Sequence, residues 1–151
     1  MLSIAGSDSG GGAGIQADLK AFARVGVHGM TAITAITAQN TVAVTAVHAV
    51  PPDVIVEQVR AVVSDIGVDA VKVGMLGNAE TIEAVDRALD LADGAPVVLD
   101  PVMVAESGAV LLDEDARALL RDRLLPRVAV ATPNLAAVSY THLTLPTTPY
   151  V

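Results

Sequence analysis

Residues 6–18 read Gly6-Ser7-Asp8-Ser9-Gly10-Gly11-Gly12-Ala13-Gly14-Ile15-Gln16-Ala17-Asp18. A short apolar run (Leu2, Ile4, Ala5) precedes them, and Ile15, Leu19 and Phe22 repeat at i, i+4, i+7, the spacing of one helix face. A strand that turns through five glycines in nine residues into a helix is the opening unit of an α/β protein. Glycine at that density lets backbone approach a ligand closely, and the helix start presents free N–H groups with a partial positive charge. Asp18 sits about one turn into the helix, three residues from Ile15 and beside the apolar stripe. A carboxylate on the inward side of a helix over a glycine loop predicts a polar small-molecule pocket. The plainer alternative is an ordinary strand-to-helix turn with an acidic residue placed to suit the helix dipole.

Two familiar glycine motifs are absent. A Walker A loop needs Gly-Lys-Ser/Thr, and no Lys-Ser or Lys-Thr occurs in the chain. The dinucleotide pattern G-x-G-x-x-G fails in both registers, with Ile15 or Ala17 where the third glycine belongs.

Outward from the loop, apolar periodicity alternates between strands and helices. Strands are expected at Leu2–Ala5, Met30–Thr37, Val44–Val50, Ala70–Val73, Val97–Leu99 and Val128–Ala131. Helices are expected at Gly14–Val25, from Pro51-Pro52 through Ile55, Val59, Val62, Val63 and Ile66, at Glu80–Ala92 and at Asp113–Leu124. This rhythm predicts an α/β fold, a mostly parallel sheet covered on both faces. Such sheets bind ligands beyond the carboxyl ends of their strands. The tips there are Gly6-Ser7-Asp8, Ala38-Gln39-Asn40, Gly74-Met75-Leu76, Asp100-Pro101-Val102-Met103 and Thr132-Pro133-Asn134. Gln39-Asn40 also suits a plain hairpin turn, Asp100-Pro101 a turn opener, and Thr132-Pro133-Asn134 a helix entry. Lys72 interrupts an apolar strand: it needs a partner or a ligand, unless the strand is an edge or the side chain snorkels to water, the reading favoured here.

Composition narrows the function. With 9 basic against 17 acidic residues and a net charge of −8, the chain lacks the cationic surface that binds nucleic acid or an anionic membrane. No apolar run reaches transmembrane length and no signal-peptide pattern opens the chain. With no cysteine there is neither a disulfide framework nor a thiolate metal site, which fits the cytoplasm. His28, His48 and His142 share no ligand spacing. One Phe and two Tyr leave any pocket to be walled by Val, Ile, Leu, Met and backbone.

Together these segments resemble the hydroxymethylpyrimidine/phosphomethylpyrimidine kinases of thiamine biosynthesis, members of the ribokinase-like superfamily. The resemblance is carried by Ile4-Ala5-Gly6-Ser7-Asp8 with Gly11–Lys20, Thr34–Thr41, Lys72–Leu76, Leu99–Val104 with Ser107-Gly108, and Thr132–Leu135, in order and at family spacing. It implies a three-layer αβα fold and ATP- and Mg2+-dependent phosphorylation of 4-amino-5-hydroxymethyl-2-methylpyrimidine and then of its monophosphate. It sets Gly6, Asp18, Gln39, Met75 and Val102 around the pyrimidine, Asp100 near the metal and phosphates, and Asn134 on the nucleotide side. It also implies a homodimer when complete. An aminopyrimidine offers ring-nitrogen acceptors and an amine donor, which an amide and a carboxylate complement. Pyridoxal kinase is a near alternative in the same superfamily, and a pyrimidine-binding module without catalysis is one from another class. A response regulator would need paired acidic residues after the first strand, where the glycine loop stands.

The resemblance covers the first half of such an enzyme, and the anion-hole loop with the residue that activates the substrate hydroxyl belongs to the second. Glu106 stands where many relatives carry lysine, and Ala136-Ala137 where they carry Pro-Glu. After Arg127 no charged residue appears, and both tyrosines fall at positions 140 and 150. Residues 1–137 are therefore expected to form the first part of a ribokinase-like domain, with 138–151 a non-native or disordered tail. The chain alone is expected to be inactive.

Overall fold

A computed structural model of the chain describes residues 1–102, 112 and 114–133. Asn134 and the expected tail at 138–151 lie outside the described residues, as do Met103, Val104, Ser107 and Gly108.

Six strands form one sheet: β1 (Leu2–Asp8), β2 (Met30–Gln39), β3 (Val44–Ala49), β4 (Val71–Val73), β5 (Val97–Leu99) and β6 (Val130–Ala131). Their order is β3-β2-β1-β4-β5-β6, parallel throughout except for β3, which runs antiparallel to β2 at the edge. The helices are α1 (Gly14–Arg24), α2 (Pro52–Asp65), α3 (Ala79–Leu89) and α4 (Glu114–Leu119). A 3₁₀ turn at Asp90–Ala92 extends α3, and a wide π turn at Leu120–Leu124 with a 3₁₀ turn at Leu125–Arg127 extends α4.

Strand alternation divides the side chains between two faces. Leu2 and Ile4 of β1, with Val71 and Val73 of β4, join Ile55 and Val59 of α2 and Ile82, Val85 and Leu89 of α3 in one core. Full burial of such an aliphatic side chain contributes about 1.5–3 kcal/mol. The alternate residues Ser3 and Lys72 face α1 on the other side, where each bonds Asp18. The sheet is thus a layer between helices, as the periodicity predicts.

Among the boundaries that differ from expectation, three bear on the site and the core. β1 runs on through Gly6-Ser7-Asp8, because Ser7 and Asp8 pair with Ile36 and Thr37 after a register shift across Gly6. β2 likewise reaches Gln39, and the turn lies beyond it. Ile66, expected on the buried face of α2, is 56% exposed because the helix ends at Asp65 and Ile66 is its C-terminal cap.

Two polar devices hold the periphery. The Gln58 carboxamide of α2 accepts from Ile33 N–H at 2.9 Å and donates to Ile33 C=O at 3.1 Å. That is the β2 residue just before the stretch β3 covers, since Ala35 faces Ala49 and Val50 N–H bonds Thr34 C=O. Arg127 ties the end of the α4 segment to α3 through Asp86 (2.6 Å) and Asp90 (2.5 Å).

Candidate active site

The parallel strands bring their carboxyl ends to one edge of the sheet; α1 starts there against Gly6 and runs back across the sheet face to Ser3 and Lys72. Gly14 opens the helix at φ +57°, a conformation other residues rarely adopt. A Cβ on Gly14 would also lie 2.4 Å from the Gly6 carbonyl oxygen. Gly6 is bare for a second reason: a Cβ there would lie 2.4 Å from Cε of Met75. Met75 therefore rests on the Gly6 backbone, and Thr34, fully buried in β2, donates to the Met75 carbonyl at 2.7 Å to fix that tip. Gly6 and Met75 are thus brought together.

The glycine loop closes around a carboxylate of its own. Asp8, 5% exposed, accepts from Gly10 N–H (2.8 Å), Gly12 N–H (2.9 Å) and Ala13 N–H (2.8 Å). Burial pushes the Asp8 carboxyl up, but the backbone amides of Ala13, Gly10, Gly12 and Gly11 outweigh it and hold the group below its ordinary value. Ala13, the N-cap of α1, lacks a side-chain cap, and Asp8 serves its amide instead. Gln16 returns from α1 to accept from Asp8 N–H (2.8 Å) and to donate to Ser7 Oγ (2.9 Å), and Lys20 donates to Gly11 C=O (2.6 Å). These amides, expected to await a ligand, are occupied by Asp8.

Gln39 joins the loop rather than α1. Ser9 Oγ donates to Gln39 C=O at 2.6 Å and accepts from Gln39 N–H at 2.7 Å, so the backbone at the end of β2 is fixed. Its side-chain Oε1 lies 3.3 Å from Thr37 Oγ1, which also donates to Ser7 C=O at 2.7 Å.

Asp18 is the centre of a charged cluster. Lys72 Nζ lies 3.0 Å from its Oδ1 and 3.1 Å from its Oδ2, and Ser3 Oγ donates to Oδ2 at 2.5 Å. The two charged side chains are 20% and 15% exposed. Asp100, at the tip after β5, stands 4.0 Å from the same ammonium. Burial first, then the Asp18 charge, raise its carboxyl, and Lys72 only partly opposes them. Val102 follows, its N–H bonded to Asp100 C=O.

Lys72 corrects the sequence reading. β4 lies between β1 and β5, so its lysine neither sits on an edge nor snorkels; it is paired to a helix carboxylate. The signal was the lone charge in Val71-Lys72-Val73, but its partner depended on strand order. Ser3 and Asp8 were missed as well. For Asp8, the pattern Asp-x-Gly-Gly-Gly fits a side chain folding back on nearby amides. Among the described residues no group of three His, Cys, Asp or Glu gathers as a metal cage. The single Asp100 carboxylate, 39% exposed, suits Mg2+ held largely by water and phosphate oxygens.

The glycine loop on a parallel sheet has known counterparts. The sequence profile described as phosphomethylpyrimidine kinase matches residues 8–144. The hydroxymethylpyrimidine/phosphomethylpyrimidine kinase of Rhizobium meliloti (strain 1021) is 58% identical over 135 residues, 89% of this chain and 50% of that protein. The chain spans about half the length of this and similar relatives. The crystal structure of a phosphomethylpyrimidine kinase from Clostridium difficile 630 superposes with a TM-score of 0.87 at 44% identity, covering 95% of this chain and 63% of that one. Staphylococcus aureus pyridoxal kinase in complex with AMP-PCP and pyridoxal gives 0.78 at 38% identity, covering 93% and 49%. The fold is therefore ribokinase-like, and the chain belongs to the phosphomethylpyrimidine kinase family.

Proposed function

We propose that this chain carries the pyrimidine-recognising part of an ATP-dependent kinase of thiamine biosynthesis. The complete protein would phosphorylate the hydroxymethyl group of 4-amino-5-hydroxymethyl-2-methylpyrimidine and then its monophosphate. The observation that carries this reading is the Asp18 carboxylate, fixed by Ser3 and Lys72 on the helix that packs against Gly6. In this reading Asp18 takes the ring's amine, Gln39 pairs a further polar edge, and Met75 and Val102 wall the faces over the Gly6 backbone. Asp100 is the group placed to hold Mg2+, which when bound would neutralise charge on the phosphates, and Asn134 belongs to the nucleotide side. Phosphoryl transfer asks a protein mainly for positioning and electrostatic stabilisation, and a fixed carboxylate serves the first. The AMP-PCP complex of a pyridoxal kinase of similar fold supports ATP as donor, and the proposed working form is a cytoplasmic homodimer. Among the described residues no helix is long and apolar enough to cross a membrane.

A second reading has its own support in the pyridoxal kinase of similar fold. Calorimetry separates them. The chain is expected to bind the hydroxymethylpyrimidine saturably and more tightly than pyridoxal, and Asp18→Ala to weaken that binding about a hundredfold, as loss of a buried charged acceptor does. With ATP the 151-residue chain is expected to turn over neither substrate, while the product of the complete gene phosphorylates the pyrimidine and its monophosphate. Tighter binding of pyridoxal would transfer the assignment to that kinase. Binding without turnover by the complete product would leave a binding module.

A further inference from the structure

Asp18 does not stand alone, and the atoms around it decide what it can accept. A carboxylate has two oxygens with two acceptor positions each. Oδ2 is filled on both: Ser3 Oγ at 2.5 Å and Lys72 Nζ at 3.1 Å. Oδ1 lies 3.0 Å from the same ammonium in ion-pair contact. Ser3 reaches Asp18 from the start of β1 and Lys72 from the middle of β4, two strands paired at the register Ser3 opposite Lys72. The hydroxyl and the ammonium thus come from one rung of the sheet and hold a helix side chain from beneath.

From this arrangement we infer that Lys72 and Ser3 are positioning residues that occupy Oδ2 of Asp18 and leave Oδ1 as the oxygen that accepts from the ligand. This rests on the pyrimidine reading above and deepens it: the donor taken is the ring's exocyclic amine. Without Lys72 and Ser3 the carboxylate would rotate about its side-chain bonds, and ligand binding would have to bear the cost of ordering it. Lys72 has a second neighbour, since its ammonium is 4.0 Å from Asp100. It therefore stands between the ring end and the phosphate end of the site, and it touches neither ring nor phosphate in its inferred role.

Ligand discrimination tests the inference, because loss of fold and loss of positioning predict different patterns. Binding of two probes by the 151-residue chain is compared: 4-amino-5-hydroxymethyl-2-methylpyrimidine, and the same molecule lacking the 4-amino group. The unaltered chain is expected to prefer the amino compound. Lys72→Met should lower affinity for the amino compound about tenfold to a hundredfold and leave the des-amino affinity within about twofold, the pattern of one lost charge-assisted contact. Ser3→Ala should do the same on a smaller scale, about three- to tenfold. Lys72→Arg should restore most of the discrimination, and Lys72→Met should add nothing in an Asp18→Ala background. An equal loss for both probes in Lys72→Met and Ser3→Ala would show a purely structural role and overturn the inference while leaving the pyrimidine reading intact. Failure of the unaltered chain to bind either probe would overturn both. Where Lys72→Met does not fold, Ser3→Ala and Lys72→Arg decide by the same criterion.

Discussion

Asp8 and Asp18 lie in one thirteen-residue stretch, one before α1 and one within it, and they answer to different partners. Around Asp8 the donors are backbone amides of Gly10, Gly12 and Ala13, groups that any sequence of this loop shape would present. Around Asp18 the donors are two side chains, Ser3 and Lys72, brought from strands distant in sequence. The first carboxylate is enclosed by its own loop and gives that loop its shape. The second is held from below through Oδ2. The contrast teaches that the glycine stretch, which looks like an anion cradle, is a turn closed on its own carboxylate, and that in the proposed function recognition falls to the helix behind it.

The strongest way to break the contrast is to spoil the packing both regions share. Gly14→Ala would place a Cβ 2.4 Å from Gly6 O and 3.2 Å from Asp8 N at a φ of +57°. Strain in that region costs about 1–3 kcal/mol and the forced contact a similar amount, so a loss of about 3–5 kcal/mol is expected. Urea unfolding checks it, and a loss below 1 kcal/mol would mean the helix start is not seated on Gly6.

Asp8→Asn is the sharper probe. It keeps the shape but turns an NH2 toward an amide donor and removes the charge, for an expected cost of about 2–3 kcal/mol at neutral pH. Because the folded-state value of Asp8 is lowered, its contribution is fully present above the ordinary value of 3.8 and fades as pH falls through the lowered one. The gap in stability between the natural chain and Asp8→Asn should therefore close on acidification below about pH 4. A gap that is constant from pH 7 to pH 3 would contradict the charged nest.

The smallest effect is expected away from both carboxylates. Arg127→Ala removes an ion-pair network of which Asp90 is 70% exposed, so about 1 kcal/mol or less should be lost, and less again in high salt. Pyrimidine affinity should not move. A change there would mean that the far side of α3 communicates with the site.

Much of this architecture is legible in the chain. The period of Ile55 and Val59 marks α2, and β-branched runs mark β2 and β5. Of the site residues named, Gly6 meets Met75 and Asp18 shares Lys72 with Asp100, whereas Gln39 bonds Ser9 and lies beside Thr37. What stayed hidden depended on strand neighbours rather than on local pattern. Gly6-Ser7-Asp8 reads as a turn by composition, and only its pairing with β2 makes it strand. Lys72 reads as an edge residue until β4 is seen between β1 and β5. The antiparallel direction of β3, by contrast, is offered by the hairpin reading of Gln39-Asn40 and not by its own residues, which are almost all exposed.

Gln58 gives the exposed hairpin a boundary. Its carboxamide imitates a strand residue at Ile33, so the free side of β2 is closed by one side chain where β3 ends. A β3 that slipped along β2 toward Met30 would have to displace that amide. The residue is thus a stop for sliding, and it blocks the same stretch of β2 against a strand from a neighbouring molecule.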